Sequence, residues 1–236
     1  MARKIKIESH LLKRLERKDE KRKKDFRQKR KYYLIVCEGE KTEPNYFEAL
    51  KNDLSPGVLN VCSFKIEGTG HNTESLVEKA LKLKSQWEEV TNRTIDRTWI
   101  VFDRDSFTPQ SFNSAVQSCI PRSPEIQCAW SNEAFELWYL LHFHNYNTGI
   151  SRARYKELIE QNLKPHLGQD FEYQKNRSDM YSILKKYGNS TQAINFAEAL
   201  ASQYNGRQDF ADHNPCTLVF KLVRELFELE KELQVD

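Results

Sequence analysis

The stretch YYLIVCEGEKTEP, running from Tyr32 to Pro44, decides the fold. Its first six residues form an unbroken apolar run of strand length, and Glu38-Gly39 ends it abruptly. A short run that is apolar on both alternating sides predicts a strand buried within a sheet. Thr42–Asp53 follows with helical spacing and places Pro44 in the first turn, where a missing N–H costs little. Working outward, Val58–Ile66 reads as a second strand and Thr73–Val90 as a helix with Leu76, Val77, Ala80, Leu81, Trp87 and Val90 on one face. Thr98–Phe102 is a third strand that ends at Asp103. Pro109–Ile120 reads as a helix, Glu125–Trp130 as a fourth strand, and Asn132–His144 as a strongly apolar helix. Strands alternating with helices predict an α/β fold with a mostly parallel, four-stranded central sheet flanked by helices.

Past residue 150 the strand signal fades. Residues 152–163, 178–187, 191–204 and 216–233 all read as helices, the last with Asn214-Pro215 as its start signal. The chain therefore divides into a basic N-terminal arm (1–31), an α/β domain (32–148) and a C-terminal helical region packed on it (149–236).

Charge supports the first of these boundaries. The 236 residues carry a net charge of +3, but residues 1–31 hold 15 Lys+Arg against five acids. The arm thus carries +10 and the remainder −7. Asp19 with Lys23 and Glu20 with Lys24 are favourable i,i+4 pairs, so the arm can turn helical when bound. Lys21, Arg22, Lys23, Lys24 and Arg27 are its candidate phosphate contacts, a solvated arm being the other reading. A hydrophobic content of 39% argues against wholesale disorder of the chain. No apolar run approaches the roughly 20 residues of a membrane span. The charged N-terminus does not resemble a signal peptide, and five scattered cysteines without a C-x-x-C pair suit reduced thiols. The expectation is a cytoplasmic protein that does not engage a membrane.

Ligands of an open parallel sheet gather at the carboxyl ends of its strands. Two strands here end in acid, one in Glu38-Gly39-Glu40-Lys41-Thr42-Glu43 and one in Asp103-Arg104-Asp105. On extended backbone Asp103 and Asp105 point the same way while Arg104 points elsewhere. Two carboxylates held that close need a cation between them, and an all-oxygen set suits Mg²⁺ or Mn²⁺. Capping of the following helix is the other reading of the pair. Glu38 can complete a site, and Gly39 lets the chain turn sharply there. Glu133 and Glu136, three apart on the next helix, share a face. For Glu136 two readings stand, an accessory ligand facing the site and a salt bridge to an arginine of the helical region.

Four motifs, LIVCEGEKTEPNYFEAL (34–50), WIVFDRD (99–105), SNEAFELWYLLHF (131–143) and NPCTLVFKLV (214–223), resemble the RloB-like family of Toprim proteins. The resemblance covers about residues 30–230. It implies a Toprim-like Rossmannoid domain that cleaves phosphodiesters of RNA, including tRNA, or of DNA with a divalent metal. It further implies Glu38 as general acid/base and Asp103 and Asp105 as metal ligands. OLD-type relatives carry another acid shortly after the first Glu, for which Glu43 is the candidate here. Glu136 matches the acid of the family's F-E-x-W motif. The resemblance also implies a phage-defence, abortive-infection effector that works with a partner ATPase. Lys41 and Arg104 are candidates for adding positive charge near the phosphate. An oligomer is left open.

Other signals carry less. Gly39-Glu40-Lys41-Thr42 lacks the rest of a Walker A motif. Gly68–Asn72 reads as a strand-to-helix turn or a phosphate cradle. His142 and His144 diverge on a helix and suit core or surface positions. Phe135, Trp138, Tyr139 and Phe143 read as core. Two alternatives to the nuclease stand: a non-catalytic Toprim binding subunit, and a HAD-like phosphatase, because IVFDRD also matches that family's nucleophile strand.

Overall fold

A computed structural model describes residues 31–54, 59–65 and 73–234 of the chain. The arm residues Lys21, Arg22, Lys23, Lys24 and Arg27, and the Gly68–Asn72 segment, lie outside the described residues. The described residues form one compact unit. Strands β1 (Lys31–Cys37), β2 (Leu59–Lys65), β3 (Arg97–Asp103) and β4 (Ile126–Asn132) pair in parallel in the order β2-β1-β3-β4. This is the mostly parallel α/β sheet expected from the sequence. A two-residue strand, β5 (Cys216–Thr217), extends it antiparallel to β4.

The alternation of side chains along the central strands divides the interior into two cores. Tyr33, Ile35 and Cys37 of β1 share one face with Trp99, Val101 and Ala129. Against that face pack α1 (Thr42–Asp53), α4 (Glu136–Leu141), α5 (Tyr155–Leu167), α6 (Met180–Tyr187), α7 (Ser190–Ser202) and α8 (Val219–Gln234). Leu34, Val36, Ile100, Phe102 and Trp130 face the other side, against α2 (Thr73–Thr91) and α3 (Pro109–Cys119). Burial on both faces is why β1 and β3 read as continuous apolar runs. Phe135, Trp138 and Tyr139 are core residues, as expected. The helix starts are local chemistry: Thr108 Oγ1 accepts the Ser111 N–H at the head of α3, and Asn189 Oδ1 accepts the Gln192 N–H at the head of α7.

Two expectations need correction. Asn132–His144 is not one helix. Asn132 stays in β4 paired with Cys216, its amide donating to the Ala211 carbonyl, so the helix begins only at Glu136. It ends at Leu141, and the His142 carbonyl is taken by the Asn189 N–H. Nor does the last helix begin at residue 216. Leu218 N–H still bonds to the Trp130 carbonyl as an extension of the sheet, and Thr217 Oγ1 accepts the Val219 N–H that opens α8.

At the amino end of the sheet, Glu225 of α8 accepts hydrogen bonds from Tyr33 Oη, Trp99 Nε1 and Arg97 Nε at 2.6, 3.2 and 3.1 Å. Burial, followed by the bond to Glu225, raises the Tyr33 phenol above its ordinary range. Glu225→Ala orphans two aromatic donors of the core strands and is expected to cost about 2–4 kcal/mol in urea unfolding. Glu225→Gln, which keeps one acceptor, should cost less.

Candidate active site

The strand order reverses direction between β1 and β3, so their carboxyl ends flank the switch-point crevice of an open α/β sheet. Cys37 pairs with Val101, and the Glu38 N–H continues the ladder to the Val101 carbonyl at 2.9 Å. The Glu38 side chain crosses the crevice, where its Oε2 accepts the Asp103 N–H at 3.2 Å. Asp103 closes β3 with its carboxylate on the same face as Ser131 of β4, and it is 4% exposed.

Two further acids arrive from helix starts. Glu43 in the first turn of α1 and Glu136 at the first position of α4 are each 4% exposed. Gly39 makes room for Glu43: a Cβ at position 39 would stand 2.1 Å from Glu43 Oε2. The chain bends at Gly39 as the sequence suggests, but its φ is not positive, so what this glycine supplies is close approach.

The segment 168–179, between α5 and α6, lies over these acids like a strap. Thr42 Oγ1 donates to the Lys175 carbonyl at 2.7 Å, and Asn45 Nδ2 donates to the Asn176 carbonyl at 3.3 Å. Tyr173 Oη donates to Glu136 Oε1 at 3.1 Å, while its N–H bonds to Glu160. Neither Tyr173 nor Lys175 was signalled by the sequence, because the strap has no periodicity that would reveal what it covers.

Glu38, Glu43, Asp103 and Glu136 thus act on one another, with Lys175 opposing them. Burial above all, then Glu136 and Glu38, raises Glu43 to about 7, against the pull of its own N–H and of Lys175. Burial raises Asp103 well above the carboxylate range, reinforced by Glu43, Glu136 and Glu38 and opposed by Lys175. Asp103 Oδ1 and Glu136 Oε2 are buried without a hydrogen-bond partner.

Asp105 does not follow Asp103. Residues Arg104–Ser106 form a single 3-10 turn, so the extended geometry that would align the two side chains ends at Asp103. Asp105 pairs instead with Arg152, and its N–H reaches the Glu133 carbonyl at 3.3 Å. Glu133, expected on a helix face with Glu136, precedes the helix and accepts the Arg152 N–H at 2.8 Å. Arg104 bonds to the Phe107 carbonyl and lines the same pocket as Asp105. Lys41 is exposed at the head of α1. The buried His142 ring shares a hydrogen bond with the Trp138 carbonyl, and burial lowers it to about 4. His213 stacks on Tyr204 at 4.4 Å.

Among the described residues no group of three or more His, Cys, Asp and Glu side chains is arranged to hold a metal ion as it stands. The chemistry of the donors nevertheless fits a hard divalent cation: four carboxylates, two unpartnered buried oxygens, and one lysine opposing them.

The charge balance has a measurable consequence. A carboxyl with a raised folded pKa binds its proton more tightly in the native state, so stability falls as pH rises. For Glu43 that loss runs from about pH 4.5 through about 7. In EDTA, the difference in unfolding free energy between Glu43→Gln and the parent should grow in favour of the variant across that window. It is expected to reach about 1–3 kcal/mol by pH 8. The His142 contribution, lost as pH falls below its ordinary 6.5 toward 4, cancels in this comparison.

Among the described residues no helix is long and apolar enough to cross a membrane. The four cysteines with described side chains are free. A family model described as RloB-like protein matches residues 33–226. No curated protein and no solved structure matches the chain.

Proposed function

The chain belongs to the RloB-like family, and on that premise we propose that it is a divalent-metal-dependent, Toprim-type nuclease cleaving RNA or DNA phosphodiesters. The observation that carries this reading is the gathering of Glu38, Glu43, Asp103 and Glu136 at the β1/β3 switch point. Three buried carboxyls beside the half-buried Glu38 cost folding free energy when ionised, and a protein keeps such an arrangement where a cation is to be bound. Glu38, Glu43, Asp103 and Glu136 would hold Mg²⁺ or Mn²⁺, which when bound polarises a phosphate and acidifies water.

The rest is work for the chain's own groups. Glu38 reaches across the crevice to the end of β3 and is placed to take or give a proton there. Glu43, raised to about 7 in the cation-free protein, would give up its proton as the cation binds. Tyr173 fixes one oxygen of Glu136, leaving the other for the cation. Lys175 and Lys41 supply positive charge beside the incoming phosphate. In this reading the +10 arm docks on nucleic acid or on a partner ATPase, and the protein acts as a cytoplasmic effector of phage defence.

The test is cleavage of single- and double-stranded RNA and DNA, and of tRNA, with Mg²⁺ or Mn²⁺, alone and with the partner ATPase. Cleavage that survives Glu38→Ala combined with Asp103→Ala would sink the assignment. One observation favours a second reading, a non-catalytic binding subunit: no three of the acids are closed around a point. That reading wins if deletion of residues 1–30 abolishes nucleic-acid or ATPase association while the acid variants keep full function.

A further inference from the structure

The acid pair Asp103 and Asp105 is split between two cations that the chain itself supplies. Asp103 faces Lys175 inside the carboxylate cluster, whereas Asp105 is held by the Arg152 guanidinium. The Arg152 main chain is fixed as well, through its N–H to Glu133 Oε2. Its side chain is 54% exposed, against 11% for Asp105. The guanidinium therefore touches the carboxylate through one nitrogen while the side chain stays largely in solvent. It opens into a pocket of about 560 Å³ lined by Arg104, Asp105, Asn132, Glu133, Arg152 and Asp212.

The exposed Arg152 head group, set against the acids Asp105, Glu133 and Asp212, decides what this pocket takes. An arginine stays protonated at any working pH, so a second divalent ion beside Asp105 and Glu133 would have to displace it. A guanidinium that gives one nitrogen to a carboxylate keeps its other N–H groups for a phosphate oxygen. Arg104, with its head group bonded to the Phe107 carbonyl, adds a second cation to the wall. The pocket adjoins the cluster through the turn Arg104–Ser106, which begins immediately after Asp103.

We infer that the Asp105–Arg152 pair forms a phosphate subsite for the nucleotide next to the scissile one, in the place of a second metal, so that the chain binds a single divalent ion. The inference rests on the metal-nuclease reading and goes beyond it by assigning the two acids of the motif to different tasks. Asp105 is a positioning residue for Arg152, and Arg152 is the group that meets the polymer.

The experiment titrates the full chain with Mn²⁺, followed by electron paramagnetic resonance. In parallel, binding of a fluorescein-labelled 12-mer, in RNA and in DNA form, is measured in EDTA at several salt concentrations. The expected results are one Mn²⁺ per wild-type chain and two per Arg152→Ala chain. Arg152→Ala should also lower the slope of log affinity against log salt by about 1, the signature of one lost phosphate contact. Arg152→Lys, which retains the charge, should keep one ion and the wild-type slope, separating loss of the cation from loss of the fold. Two ions bound by a wild-type chain that cleaves overturns the inference and leaves the nuclease standing. A salt slope unchanged in Arg152→Ala also overturns the inference alone. A wild-type chain that binds no ion and cleaves nothing overturns both.

Discussion

Asp103→Asn is expected to lower cleavage on the order of 10³-fold or more, while raising the melting temperature of the protein in EDTA. The two effects share one cause. The Asp103 carboxylate is buried beside Glu43, Glu136 and Glu38, with Lys175 opposing them, and its Oδ1 has no partner. An amide of the same shape removes the repulsion and keeps the packing, so the native state gains. At this chain length each kcal/mol gained appears as roughly 2–4 °C. The same amide removes the negative oxygen that a divalent cation requires. Scanning calorimetry with and without Mg²⁺, alongside a cleavage assay, checks both halves. Added Mg²⁺ should raise the parent's melting temperature and leave that of the variant unchanged. A variant that is less stable in EDTA would show that the cluster is not under electrostatic strain.

Gly39→Ala should come next in size. Its methyl group would lie 2.1 Å from Glu43 Oε2 and 2.9 Å from Glu43 Cδ, closer than real contacts allow. The flexible end of Glu43 gives way before the backbone does, so the chain still folds, at a cost of about 1–3 kcal/mol. The carboxylate is then displaced by an ångström or more, and misplacement on that scale costs about 10²-fold in rate. The double variant Gly39→Ala/Glu43→Ala should recover the stability lost in the single variant and remain as slow as Glu43→Ala. Additive losses in this cycle would mean that Gly39 acts through something other than Glu43.

What the sequence could and could not disclose follows from where each signal resides. β1, β3 and the helix Thr42–Asp53 were legible because burial on both faces writes an unbroken apolar run and a helix writes its own spacing. Glu38 and Asp103 were legible for the same reason, as acids where those runs stop. The relation of Asp105 to Asp103 was misread because two-residue alternation holds only on extended backbone, and the chain turns at Arg104. Arg152, Tyr173 and Lys175 were missed because their roles depend on contacts with segments distant in the chain. β5 was missed because two residues are too few to carry any pattern.

The strap also has a meaning in time. Glu38, Glu43, Asp103 and Glu136 all leave the ribosome before Tyr173 and Lys175, the groups that fasten and oppose them. A nascent or truncated chain ending short of residue 173 therefore holds every acid of the cluster but neither its clasp nor its resident cation. Completion of the site waits for the C-terminal third of the polypeptide, so a broken translation product of this gene carries the acids without the groups that fasten and oppose them.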